Sequence, residues 1–148
     1  MIRLFLIRTW VFISFIYAGF LVKINKGSIS HSEVKELLKS YCKVENIFVS
    51  DDFFVTPSVE VVKKLVKLSP IVLKKYEANV FDCDDYSFCL VGLFKFLIPN
   101  IAMGIVWNKN HAYNFFVDEK GLVWGIEPQE NRVFAFSDVK DNVRLMIL

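Results

Sequence analysis

Hydrophobic and polar positions divide this chain into three stretches of different character. Thr9 to Val22 carries no charge, with Arg3 and Arg8 before it and Lys23 and Lys26 after it. A spanning helix takes about 20 apolar residues, so residues 4–22 read as a membrane anchor in which Arg8 snorkels. A cleaved signal and a buried first element are the other readings of that stretch. The middle of the chain has helical spacing. Ser30-His31-Ser32-Glu33 is an S-x-x-E capping pattern, and Val34, Leu37, Leu38 and Tyr41 fall on one face, which predicts a helix from about His31 to Cys42. Thr56-Pro57 predicts a second start, and Val59, Val62, Leu65 and Val66 carry that helix to Ser69-Pro70. A third helix, buried, begins near Cys83 with acidic residues in its first turn. It runs apolar from Phe88 to Ile98 and stops at Pro99. Beyond it come Met103–Trp107, Ala112–Val117, Leu122–Ile126 and Arg132–Phe136, parted by turn-forming residues. Four short segments so spaced predict an antiparallel meander.

The fold class expected is therefore α+β, with a Cys-headed central helix packed on an antiparallel sheet of four or more strands. Residues 27–148 form the domain, and residues 1–26 are an apolar N-terminal segment. Hydrophobic residues make up 54% and aromatics 16% of the chain, enough to fill such a core. The formal net charge is only +2, and no Lys/Arg stripe interleaves with aromatics, so nucleic acid is not an expected partner. Three cysteines, Cys42, Cys83 and Cys89, with no CxxC pair, exclude a disulfide framework and a structural zinc site.

The order of the chemistry-bearing residues matters more than their number. Cys83 opens a helix, where the dipole favours thiolate. His111 opens a strand, and Glu127 closes the next strand across the Gly121 hairpin, so carboxylate and imidazole become neighbours. Cys83, His111 and Glu127 are the expected catalytic residues, as nucleophile, base and orienter. Cys89, in apolar company, is expected in the core, and His31 is expected to face solvent. Asp82, Asp84 and Asp85 crowd the thiol with negative charge, which a divalent cation would offset. Adjacent carboxylates suit calcium's oxygen-rich shell.

Three segments carry a family resemblance: Phe81-Asp82-Cys83-Asp84-Asp85-Tyr86, His111-Ala112-Tyr113-Asn114 and Ile126-Glu127-Pro128-Gln129. Together they resemble the papain-like and transglutaminase-like superfamily. The closer likeness is to the C-terminal protease domain of the Marasmius oreades agglutinin family, without its lectin domain. That resemblance implies a calcium-dependent cysteine protease, or a related thiol acyl hydrolase or transferase, acting on a peptide or protein substrate. Asp84 and Asp85 match the family's calcium positions. The papain-type oxyanion glutamine is missing, since the residues before Cys83 offer only Glu77 and Asn79. The alternative is a catalytically silent papain-like binding or structural module, such as a viral component. The corresponding alternative location is soluble, cytoplasmic or in a virion, rather than membrane-associated through residues 4–22.

Overall fold

The computed structural model of the chain describes Thr9, Phe12, Ile13, Ile16, residues 26–138 and residues 143–148. Most of the apolar segment at 4–22 lies outside the described residues. No helix among the described residues is long and apolar enough to cross a membrane.

Strand β1 (Lys26–Ser30) leads into helix α1 (His31–Tyr41), followed by β2 (Val44–Phe48), β3 (Phe53–Pro57) and helix α2 (Val59–Leu68). Helix α3 (Cys83–Leu97) precedes strands β4 (Met103–Trp107), β5 (Ala112–Val117), β6 (Val123–Glu127), β7 (Arg132–Ala135) and β8 (Val143–Ile147). The described chain is thus α+β, with a two-stranded sheet β1-β3 and a six-stranded sheet ordered β2-β8-β4-β5-β6-β7. The meander β4–β7 is antiparallel, as its turn-punctuated pattern predicts. The full sheet is mixed, because β2 joins β8 in parallel.

Local chemistry sets the element boundaries. Ser30 caps α1, its hydroxyl accepting from the Glu33 amide while the Glu33 carboxylate accepts from the Ser30 amide at 2.9 Å. Helix α2 starts later than Thr56-Pro57 predicts. Both residues belong to β3, whose ladder with β1 holds them extended, and Ser58 is the N-cap. The β5–β6 turn closes on Asp118, whose Oδ1 accepts from the amides of Lys120 and Leu122 while Oδ2 accepts from Trp124 Nε1. Gly121 supplies the positive φ, +73°, that the turn requires.

Strand β5 is buried at every position. Its alternate side chains feed two separate cores. Phe116 meets Leu90 and Phe94 of α3 and Leu65 and Val66 of α2 on one face. Tyr113, Phe115 and Val117 meet Val34 and Leu38 of α1, Phe54 and Phe136 on the other. Burying side chains of this size contributes about 1.5–3 kcal/mol each. Helix α3 is amphipathic rather than wholly buried. Tyr86, Leu90 and Phe94 recur every four residues on its inner face, whereas Phe88 is 55% and Phe96 75% exposed. Cys89 lies on that outer face and is exposed, which corrects the expectation that it is a core residue. A continuous apolar run hides its own periodicity, so the sequence pattern alone does not reveal the outward stripe.

Close backbone approach at β4 gives the first prediction. A Cβ on Gly104 would lie 2.0 Å from the Ile147 carbonyl oxygen and 2.7 Å from the Phe115 ring. Gly104→Ala should therefore destabilise the domain by about 1–3 kcal/mol, read as a lower urea midpoint, because β4 and β8 must part. A midpoint equal to wild type would contradict the β4–β8 pairing.

Candidate functional site

An open cleft of about 760 Å³ lies where the N-terminus of α3, the β4–β5 turn and the β2–β8 edge of the large sheet converge. Cys83 and Asp84 line it from the helix. Trp107, Asn108, Lys109, Asn110 and His111 come from the turn, and Glu45, Asn46, Phe48 and Arg144 from the sheet edge. The structure therefore brings Cys83 and His111 to one cavity, while Glu127 stands behind the imidazole.

The sequence presents His111 in a defined way. Asn108 Oδ1 accepts from the backbone amides of Asn110 and His111 at 2.9 and 2.8 Å, a local turn that delivers the imidazole to the start of β5. His111 Nε2 lies 2.7 Å from Glu127 Oε2, and the ring stacks on Tyr113. Glu127 is buried, its Oε1 accepting from the Gln129 amide at 3.2 Å. A carboxylate facing Nε2 keeps the proton there and leaves Nδ1 as the ring's second polar atom. The Glu127 hydrogen bond holds the His111 pKa above its ordinary 6.5, against the opposing effect of burial, with further help from the charges of Glu127 and Glu130. Burial pushes the Cys42 thiol up, and burial together with Asp85 does the same to Cys89.

At the helix start, ligand atoms of Asp82, Cys83 and Asp84 lie within 4.8 Å of one another. A side-chain hydrogen bond between Asp82 and Asp84 holds Asp84 above and Asp82 below the usual carboxylate value. Asp85 is turned to another task, its Oδ2 accepting from the Asp82 amide at 3.0 Å. His31 is partly buried, with Nδ1 3.3 Å from the Asp51 carbonyl oxygen. The sequence reading missed the sheet-edge residues of the cleft and Trp107. Asn108-Lys109-Asn110 carried a usable signal, since a polar turn directly before His111 has to share its location.

No protein-family model and no curated protein matches the chain. Solved structures share its fold, among them the following two. The PSL1a-E64 complex matches with a TM-score of 0.70 and 17% identity over 82% of this chain and 50% of that one. Polyporus squamosus lectin, bound to the human-type influenza-binding epitope Neu5Aca2-6Galb1-4GlcNAc, matches with a TM-score of 0.66 and 18% identity over 82% of this chain and 49% of that one. The chain thus spans about half the length of each, and identities this low establish the fold alone. These findings overturn the expected identity. The fold is shared with a lectin, and no protease family matches. The resemblance to the papain-like, transglutaminase-like protease domain of the Marasmius oreades agglutinin family is set aside, and with it the calcium-dependent thiol hydrolase built on a catalytic triad. The physical reason is that a Cys-headed helix followed by His-led and acid-ended strands describes a topology. A topology is common to proteins of unrelated activity.

The His111–Glu127 pair sets a pH dependence. A folded-state pKa raised above 6.5 gives stability fully present below about pH 6.5, lost as pH rises through the folded value. Glu127→Gln removes the carboxylate behind that shift. Between about pH 6 and pH 9 the wild-type urea midpoint should fall by more than the variant's. Parallel profiles would show that the pair contributes nothing.

Proposed function

We propose that the chain is a non-catalytic binding module whose ligand site is the cleft at the head of α3, and that its ligand is a carbohydrate. The observation that carries this reading is the lining itself. Trp107 and a largely exposed Phe48 offer ring faces beside the amides of Asn46, Asn108 and Asn110 and the charges of Asp84 and Arg144. Pyranose rings present an apolar C–H face to an aromatic ring and hydroxyls to amides and carboxylates, so such a mixture suits them. The lectin neighbour, bound to a sialylated trisaccharide, supports the ligand class. Cys83, His111 and Glu127 then serve as cleft residues. His111, held by Glu127, offers Nδ1 as a hydrogen-bonding atom, and Cys83 forms part of the wall.

The reading includes a cation. Asp84 with Asp82 would hold calcium, and Asp85 supports them by fixing the Asp82 backbone. Two carboxyls that share a hydrogen bond crowd negative charge, and the chemistry of the donor set fits a hard, oxygen-seeking ion; the neighbouring thiol does not add to it. Calcium there would supply a fixed positive charge at the rim of the cleft.

Two experiments test these readings. Intrinsic tryptophan fluorescence, titrated with a panel of neutral and sialylated oligosaccharides, should show saturable binding. Trp107→Ala should weaken that binding at least tenfold, a loss of about 1.4 kcal/mol or more. A panel without saturable binders would end the carbohydrate reading. Separately, millimolar calcium should raise the melting temperature, because a ligand that binds only the folded state stabilises it by mass action. Asp84→Asn should abolish the rise. Wild type that shows no shift up to about 10 mM, well above the weakest extracellular-type affinities, leaves the aspartates as helix-start residues only.

A further inference from the structure

Asn114 sits in the middle of β5, fully buried, between apolar residues of the two cores. Its Nδ2 donates to the Ser87 carbonyl oxygen of α3 at 3.0 Å and to the Gly104 carbonyl oxygen of β4 at 3.2 Å. Its Oδ1 has no hydrogen-bond partner. Leaving a buried acceptor unmatched is costly, and an apolar side chain would fill this strand position without that cost. Nor does Asn114 rescue an orphan at Ser87. That carbonyl lies inside α3, where the Val91 amide is its regular partner, so the Asn114 bond is an additional one.

The bonds lead somewhere specific. Ser87, itself fully buried, donates from Oγ to the Cys83 carbonyl oxygen at 2.8 Å. Asn114 to Ser87 to Cys83 is therefore a continuous polar path from the strand to the first residue of α3, which lines the cleft. Three residues before Asn114, the same strand leads back to His111 on the other side of that cleft. We infer that Asn114 is a positioning residue that fixes the head of α3 against the start of β5, setting the placement of Cys83 relative to His111. The inference deepens the binding reading of the cleft, and its test needs no ligand.

The alkylation rate of Cys83 reports the placement, because it follows the exposure and immediate surroundings of the thiol, and both change when the head of α3 shifts against the start of β5. The experiment compares iodoacetamide alkylation rates of all three cysteines by mass mapping of the intact chain at about neutral pH. Wild type, Asn114→Leu, Ser87→Ala and the double variant are compared. Cys83 should react fastest in wild type. Asn114→Leu should slow Cys83 about fivefold and leave Cys42 and Cys89 unchanged, Ser87→Ala should act in the same direction, and the double variant should be no slower than the slower single, since the two bonds act in series. An unchanged Cys83 rate in the two single variants overturns the inference. So does a parallel rise at all three cysteines, the signature of general loosening. Should Asn114→Leu fail to fold, Ser87→Ala decides alone, an unchanged Cys83 rate again being the adverse result. A failed oligosaccharide titration leaves this outcome untouched, so the two ideas fail separately.

Discussion

Strand β5 is enclosed on both faces, and this enclosure organises the rest of the domain. Its even-numbered side chains, Asn114 and Phe116, look toward α3, and its odd-numbered ones, Tyr113, Phe115 and Val117, look toward α1 and Phe54. A one-residue slip would exchange the two sets and carry the Asn114 amide into the opposite core. Register is therefore tightly determined here, and His111 and Glu127 inherit their separation from it through the β5–β6 ladder. The geometry of the cleft follows from packing more than from the polar residues that line it.

That dependence explains which features were legible. Helix α3 could be read because three local signals agree at its start: acidic residues, an apolar run and a closing proline. The meander could be read because each turn is marked by Asn, Asp or Gly. The proximity of His111 and Glu127 then followed from pairing adjacent strands. The pair of strands at the β2 side of the large sheet could not be read so easily. Strand β2 buries its residues irregularly, and its partner β8 lies at the far end of the chain. Nothing local in Val44–Phe48 specifies a parallel neighbour. As a result the sheet-edge wall of the cleft, with Asn46, Phe48 and Arg144, was missing from the sequence reading.

Function was less legible than fold for a different reason. A helix that begins with a cysteine, and a histidine that meets a glutamate, are positions in a topology, and a topology shared at 18% identity with about half of a longer chain establishes the fold alone. What distinguishes binding from reaction is the lining of the cleft, and its aromatic rings and amides come mostly from the end of β4, the turn before β5 and strand β2, outside the three segments that carry the resemblance.

The parallel pairing of β2 with β8 bears on how the domain is assembled. Ser50 and Leu148, joined by a hydrogen bond at the end of this ladder, are separated by 98 positions along the chain. Contacts so remote must bear their loop-closure entropy before any pairing compensates it, whereas the β4–β7 meander and α3 form from near neighbours. The wall bearing Asn46 and Phe48 therefore carries a larger ordering cost than the head of α3 and the turn carrying His111. Loss of the β2–β8 pairing would remove the wall with Asn46 and Phe48 and leave Cys83 and His111 on elements held by nearer contacts.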